Sequence, residues 1–160
     1  MDTLYFDLLQ FAYHLALAVL VGGALVLGTA VAPAVFRTVR SRSEAGTIFG
    51  AILARYEQIA VLGAIAVVVT SVLKFGGFED LAPGPRLYAR WAALGLLVAL
   101  VLYGSVWAGP VARAIRAKTP DFDDLPDGHP VRREFAQLHR SASRAMRAAV
   151  LVGLIALFLS

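Results

Sequence analysis

The residues best suited to chemistry are Asp7, Gln10 and His14, which share one face of the first predicted helix. At about 100° per residue, their spacings place the three side chains within about 60° of one another, and Ala18 and Gly28 continue the stripe. A carboxylate, an amide and an imidazole together can bind a cation or accept a proton. Because polar groups in a membrane helix face protein or water, the pattern predicts that this stripe faces the bundle and forms a polar vestibule, in which His14 acts as ligand, proton acceptor or cation gate. The alternative is a His14 that is satisfied by a neighbouring carbonyl or hydroxyl group.

Gln10 and His14 lie in one of four windows that contain no Asp, Glu, Lys or Arg, and Asp7 directly precedes it, in a chain that is only 16% charged. The windows are residues 8–36, 58–73, 91–112 and 148–160. About 20 mainly apolar residues cross the hydrocarbon core of a membrane, so the first and third windows suffice alone. The second and fourth windows are shorter, and they span the membrane when the charged side chains that flank them extend to its surface. The sequence therefore predicts an all-α, integral membrane four-helix bundle that forms a single transmembrane domain over residues 1–160.

Turn formers and capping residues divide the chain into helices over about residues 5–40, 44–74, 87–117 and 130–159. Ser43 is the predicted N-cap of the second helix. The Gly- and Pro-rich segment from Gly76 to Pro85 is predicted to be a loop, and Pro130 fits the first turn of the fourth helix. The second and fourth helices are each about 45 Å long at 1.5 Å per residue, so both should project into the cytoplasm.

A weak internal repeat links the first and third predicted helices. Pro33 is followed by Arg37 and Arg40, and Pro110 is followed by Arg113 and Arg116. Each Arg-x-x-Arg pair precedes a long helix that starts outside the membrane. The pattern predicts a two-plus-two parallel repeat about an axis along the membrane normal.

The distribution of positive charge predicts the orientation of the bundle. Twelve of the 15 Lys and Arg residues flank the first-to-second and third-to-fourth helix connections, and only Lys74, Arg86 and Arg90 lie at the other side. Because loops rich in Lys and Arg stay in the cytoplasm, both termini are predicted outside. The same topology explains the net charge of +4 without nucleic-acid binding.

Other polar residues supply candidate partners for His14. Thr70 and Ser71 lie at about its depth near the outer end of the second helix. His139 lies roughly 18 Å from His14 along the membrane normal, which is too far for both to bind one haem. No cofactor is predicted, and the alternative is a haem b, or another metal group, held by His14 alone. With no cysteine in the chain, thiolate nucleophiles and thiolate metal sites are excluded.

A second group of polar residues lies at the predicted cytoplasmic boundary. It contains Arg37, Tyr56, Glu57 and His139, and Arg37 is expected to pair with Glu57. A row of basic residues at the start of the fourth helix is predicted to bind anionic lipid headgroups. These residues are Arg133, Arg140, Arg144 and Arg147.

Several stretches resemble the bacterial relatives of transmembrane protein 205, a family of unknown function. These are Phe11 to Gly23, Val31 to Arg37, Ala45-Gly46 with Phe49 and Tyr56, Arg90-Trp91, Pro110 with its basic tail, and Phe135 followed by Leu138 to Ser141. The resemblance implies a four-helix protein of the bacterial inner membrane, and its human member is associated with platinum-drug resistance and export. The architecture is also similar to copper resistance protein D and to the haem-containing protoporphyrinogen oxidases, which carry a histidine in their first helix.

These patterns favour a protein that binds or passes a small solute or cation through a polar vestibule that opens to the outside. The alternatives are a haem-binding redox protein that uses His14 and an accessory subunit of a larger membrane complex. No arrangement typical of hydrolases, phosphate binding or metal catalysis is present, so the sequence does not favour an enzyme. The expected partners are the lipid bilayer with its anionic lipids and either a second copy or a membrane complex.

Overall fold

The computed structural model describes residues 2–79 and 84–160, which form four long helices and no strand. α1 runs from Asp2 to Thr38 and consists of Asp2–Val26, a π-helical turn Leu27–Val31, and Ala32–Thr38. α2 consists of Arg42–Lys74 and a π-helical turn Phe75–Glu79. α3 consists of Pro85–Leu102, a π-helical turn Tyr103–Ala108, and Gly109–Lys118; α4 is Pro130–Phe158. Each helix is long and apolar enough to cross a membrane. The predicted all-α membrane helical bundle is confirmed.

The start of α2 differs from the prediction. Its N-cap is Ser41, in extended backbone conformation, whose hydroxyl accepts a hydrogen bond from the Glu44 backbone N–H at 3.4 Å. Ser41 and Glu44 have the Ser-x-x-Glu spacing of a capping box, which favours this cap over Ser43. Ser43 instead lies inside the first turn, and its hydroxyl donates to the Asp123 carboxylate in the connection between α3 and α4.

The end of α2 also corrects the sequence interpretation. Gly76 and Gly77 were predicted to open a loop, but both lie in the π-helical turn that extends α2 to Glu79. Neither glycine has a positive φ, so neither breaks the helix. The extension places Glu79 beside Lys74, with which it forms an ion pair. The remainder of the predicted loop, 80–83, lies outside the described residues.

The helices pack around a core in which large side chains alternate with alanine and glycine. Buried side chains include Tyr13, Leu17 and Leu20 from α1, Ala60, Ala64 and Val67 from α2, Leu94 and Leu97 from α3, and Ala149 and Ala156 from α4. α1 packs mainly on α2, and α3 packs mainly on α4. Small residues permit close approach of membrane helices. At Gly153, for example, an added Cβ would lie 2.5 Å from a methyl group of Val21.

Both α1 and α3 contain a π-helical turn that ends two residues before a proline. The Ala32 N–H bonds to the Leu27 carbonyl ahead of Pro33, and the Gly109 N–H bonds to the Gly104 carbonyl ahead of Pro110. Proline has no N–H, and its ring clashes with the carbonyl four residues earlier in an α-helix. The wider turn removes this conflict in both helices. The matching turns support the predicted repeat, whose test is superposition of α1–α2 on α3–α4.

The two ends of the bundle differ in charge and are named here by their contents. The terminal end carries the start of α1 and the end of α4 together with Lys74, Glu79 and Arg90. The basic end carries the connection between α1 and α2 and the connection between α3 and α4. Pro130 occupies the first turn of α4, as predicted. Each end contains its own cluster of polar side chains.

Candidate functional site

At the terminal end, the predicted polar stripe does not face the bundle along its whole length. Gln10 and His14 are half-buried, but Asp7, Ala18 and Gly28 are exposed. The buried face of α1 is instead apolar and contains Tyr13 and Leu17, among others. The expectation that the whole stripe faces the interior is therefore wrong for Asp7, Ala18 and Gly28.

His14 has polar partners, but they are not the ones that were expected. Its Nε2 lies 2.8 Å from the Ser160 hydroxyl and 3.4 Å from Nε2 of Gln10. The Thr70 hydroxyl donates to the Ala66 carbonyl at 2.7 Å, as helical threonines often do. Ser71 is fully buried, and its hydroxyl has no partner among the described residues. Neither Thr70 nor Ser71 contacts His14 through a hydrogen bond, because α1 presents His14 toward the end of α4.

A charged network at this end joins Lys74, Glu79 and Arg90. Arg90 holds both carboxylate oxygens of Glu79 in a bidentate pair, and the Lys74 ammonium lies 3.5 Å from the same carboxylate. Lys74 and Arg90 are only 2% and 5% exposed. Lys74 also donates to the Gln10 side-chain carbonyl, so α1, α2 and α3 meet in one polar network.

Aromatic rings complete the surroundings of the two buried cations. The Lys74 ammonium lies 4.9 Å from the ring centre of Tyr13 and 5.6 Å from that of Phe6. The Arg90 guanidinium lies 5.9 Å from the Tyr13 ring. The negative faces of aromatic rings stabilise desolvated cations. With two cations and one carboxylate, the network itself carries an excess positive charge.

The described contacts of His14 lend no support to a haem site. The Ser160 hydroxyl lies within hydrogen-bond distance of Nε2, a nitrogen that a metal ligand would need. Among the residues that the structure describes, no three His, Cys, Asp or Glu side chains are grouped to hold a metal ion. The haem alternative at His14 stays a prediction.

At the basic end, a cavity of about 370 Å³ lies between the four helices. Its wall is mainly apolar and includes Leu20, Phe36, Phe49, Leu97, Val101 and Met146. Its charged lining residues are Arg42, Glu57, Arg113 and Arg116. Small-molecule sites typically have volumes of about 300–1,000 Å³ and apolar walls with a few polar groups. None of the five residues predicted for the vestibule lines this cavity.

Glu57 and Arg113 form the main ion pair of the cavity wall. Nη2 of Arg113 lies 2.5 Å from Oε2 of Glu57, while Glu57 is 7% exposed. The predicted pairing of Glu57 with Arg37 is wrong, because Arg37 lies on the exposed side of α1. Gly109, one helical turn before Arg113, leaves room for the carboxylate: a Cβ there would overlap Oε1 of Glu57.

Tyr56 and His139 contribute differently to the same cavity. The Tyr56 hydroxyl donates to the Leu20 carbonyl at 2.6 Å, and its ring packs so closely on Gly23 that no side chain fits there. Tyr56 thus fixes α2 against α1. The His139 ring lies parallel to the Phe135 ring at 5.9 Å, and both residues line the cavity.

Arg42 and Arg116 stand at the start of α2 and near the end of α3. Arg116 donates to the Ser43 carbonyl at 3.1 Å and to the Asp123 carboxylate at 2.8 Å, and thereby ties α3 to α2 and to the following connection. Arg42 is exposed and belongs to none of the ion pairs among the described residues. Arg42 is therefore the lining arginine with the greatest freedom to meet a ligand.

The predicted lipid-binding row lies on the outer surface of α4. Arg133, Arg140, Arg144 and Arg147 are all exposed, and none of them lines the cavity. Their placement agrees with contact to lipid headgroups, which stays a prediction.

Gly109 provides a direct test of the packing around Glu57. We expect Gly109→Ala to lower the free energy of unfolding by about 1–3 kcal/mol, because the new methyl group displaces the buried carboxylate. Gly22→Ala is the matched control: nothing lies within 4 Å of its Cβ position. There the same change should stabilise the helix by up to about 1 kcal/mol. Denaturant unfolding in detergent micelles measures both, and equal effects at the two positions would contradict the close contact.

Sequence reasoning overlooked Lys74, Glu79, Arg90 and Arg113 as site residues. The first three had been assigned to topology or to a loop. The available signal was position: Lys74 and Arg90 border charge-free windows, and Glu79 follows Lys74 by five residues. For Arg113, the signal was Gly109, a small residue one turn away on the same face.

Comparison with known families places the chain in one of them. Comparison with curated proteins and with solved structures gives no significant match. The expected likenesses to transmembrane protein 205, to copper resistance protein D and to protoporphyrinogen oxidases therefore stay unconfirmed. The matched segment is residues 15–120, which is more than half of the chain and includes most of α1 and all described residues of α2 and α3. It matches the family described as "Domain of unknown function (DUF4149)", and the protein belongs to that family.

Proposed function

We propose that the protein binds a small amphiphilic anion in the basic-end cavity. The observation that carries the proposal is the lining of this cavity, in which apolar side chains from four helices adjoin three arginines and a single glutamate. The apolar part of the ligand lies between the helices, and its acid group meets the arginines. Solute binding, first predicted for the stripe on α1, is thereby assigned to the opposite end of the bundle.

The charges of the lining favour an anion over a cation. Arg42, Arg113 and Arg116 outnumber Glu57, and Glu57 is already neutralised by Arg113. Nη1 of Arg113 is buried and has no hydrogen-bond partner among the described residues. An unpaired buried donor costs about 1–3 kcal/mol, and more when it is charged. A ligand acid group that reaches the guanidinium removes this cost, and a cation does not.

The Lys and Arg residues of the helix connections support a cytoplasmic location for the cavity. Under the positive-inside rule, the basic end lies in the cytoplasm and both termini lie outside. In the inner membrane of a bacterium, the cavity then opens on the cytoplasmic half of the bilayer. The exposed arginines of α4 would hold anionic lipid headgroups around it.

The test compares binding of decanoate to two arginine variants of the purified protein in lipid nanodiscs. Arg42→Gln removes a lining charge that takes part in no described ion pair, and should weaken decanoate binding at least about tenfold, since a charged hydrogen bond contributes about 1.5–3 kcal/mol. Arg40→Gln removes an exposed charge two residues away that does not line the cavity. This control should leave binding within about twofold.

Neutral and cationic analogues complete the test. Decanol and decyltrimethylammonium have the same chain without the acid group and should bind at least about tenfold more weakly than decanoate. Naphthoate, which is an anion without an acyl chain, distinguishes a general amphiphilic-acid site from a fatty-acid site. Equal binding of all probes, or equal effects of the two arginine variants, would overturn the proposal.

A further inference from the structure

We propose that the π-helical turn of α3 is a second polar contact in the cavity and selects acids that carry a hydroxyl group far from the carboxylate. The inference rests on the proposed function, because it names a finer class of ligand for the same cavity. Its acceptor is the backbone carbonyl of Ser105, a residue of the cavity lining together with Gly104 and Gly109.

Helix geometry leaves the Ser105 carbonyl without its usual donor. In an α-helix this carbonyl would accept from the N–H of Gly109, but that N–H bonds to Gly104. In a π-helix the donor would be residue 110, which is a proline and has no N–H. An unsatisfied carbonyl in an apolar environment is costly, so a ligand donor that reaches it gains a hydrogen bond with little competition from water.

The position of this carbonyl along α3 sets the distance between the two polar groups of the ligand. Ser105 precedes Arg113 by eight residues on the cavity wall, or about 12 Å at 1.5 Å per residue. Both residues line the same cavity, and the wall between them is covered by Gly109 and Ala112. An extended chain of about ten carbons spans this distance. The chemical class that fits is therefore an acid with a hydroxyl group at the far end of its chain.

α1 contains a matched π-helical turn that lacks the cavity. Ala32 bonds to the Leu27 carbonyl, and Pro33 cannot donate, so the Gly28 carbonyl loses its backbone donor in the same way. Gly28 is exposed and does not line the cavity. A proline follows each of the two turns, but only the turn in α3 borders the cavity. A comparison of the two turns therefore shows what contact with the cavity contributes to ligand binding.

The experiment measures binding of decanoate and omega-hydroxydecanoate to the full chain in nanodiscs. Wild type should bind the hydroxy acid about threefold to tenfold more tightly than decanoate, because this is the gain in affinity that one additional net hydrogen bond gives. Pro110→Ala supplies an N–H and restores the regular helix, so it should lose this preference while it still binds decanoate. Pro33→Ala should keep the preference. Ser105→Ala removes only the hydroxyl group of the serine and should also keep it, within about twofold.

Each outcome distinguishes the inference from the proposed function. If wild type binds neither acid, the proposed function fails and the inference fails with it. If wild type binds both acids equally, or if Pro110→Ala keeps the preference, only the inference is overturned. Loss of the preference in Pro33→Ala, or in Ser105→Ala, also overturns it, because the contact then does not belong to the Ser105 carbonyl. If Pro110→Ala does not fold, equal binding of the two acids by wild type, or loss of the preference in Ser105→Ala, still overturns the inference.

Discussion

Glu79→Gln is expected to lower the free energy of unfolding by about 3–5 kcal/mol, the usual cost of breaking a buried ion pair from one side. The change leaves Lys74 and Arg90 without their carboxylate, and these residues are 2% and 5% exposed. Two like charges that share one buried site then repel each other and have lost their only described counterion. Unfolding in detergent micelles measures the loss.

A control and a rescue separate this mechanism from a general loss of charge. Asp7→Asn removes an exposed carboxylate at the same end and should change the free energy of unfolding by no more than about 0.5 kcal/mol. Lys74→Met in the Glu79→Gln background removes one of the two uncompensated cations, and should recover at least about 1 kcal/mol. If the double variant is less stable than Glu79→Gln alone, Lys74 is stabilised by Gln10 and Tyr13 more than by Glu79.

The four helices were predictable because the membrane imposes a local requirement on sequence. Each crossing needs a continuous apolar stretch, and backbone groups must bond within the helix, so charge-free windows indicate helices without knowledge of their partners. The errors fall where local signals conflict with distant contacts. Gly76 and Gly77 favour a turn, but Glu79 is held by Arg90 on another helix, and this contact extends α2 through the glycines.

Partners across helices were less predictable than the residues themselves. Gln10, His14, Glu57 and His139 were identified, yet the contacts of His14 and Glu57 were assigned wrongly. Spacing gives the relative angles of side chains on one helix, but not the rotation of that helix against its neighbours. A π-helical turn adds a residue and rotates the following segment by about 100°. Arg37 follows such a turn in α1, which changes the direction of its side chain relative to the residues before the turn. Its position at the same predicted membrane boundary as Glu57 therefore did not indicate a contact between the two residues.

The cavity itself could not be derived from sequence. It depends on small residues such as Gly104 and Gly109, which leave space because they have no side chain. Glycine in a membrane helix is as consistent with close helix contact as with a ligand site. Only the arrangement of the helices shows that Gly109 makes room for Glu57 and that Gly104 adjoins open space.

A double-mutant cycle on Glu57 and Arg113 is expected to identify the true partner of the buried carboxylate. Glu57→Leu should lower the free energy of unfolding by about 2–3 kcal/mol, below the full value for a buried pair because the Arg113 side chain is 33% exposed. In the Arg113→Leu background, Glu57→Leu should cost at least about 1 kcal/mol less, since no unpaired guanidinium is left behind.

Arg37→Leu provides the matched cycle, because it removes the arginine that the sequence pattern had assigned to Glu57. Arg37 is exposed and on another helix, so its effect should add to that of Glu57→Leu within about 0.5 kcal/mol. Coupling of Glu57 to Arg37 instead of Arg113 would contradict the contact at 2.5 Å and would restore the sequence-based pairing. The ligand proposal uses the same contact, because Glu57 engages Nη2 of Arg113 and leaves the buried Nη1 without a partner among the described residues, so that a ligand acid group can bind there.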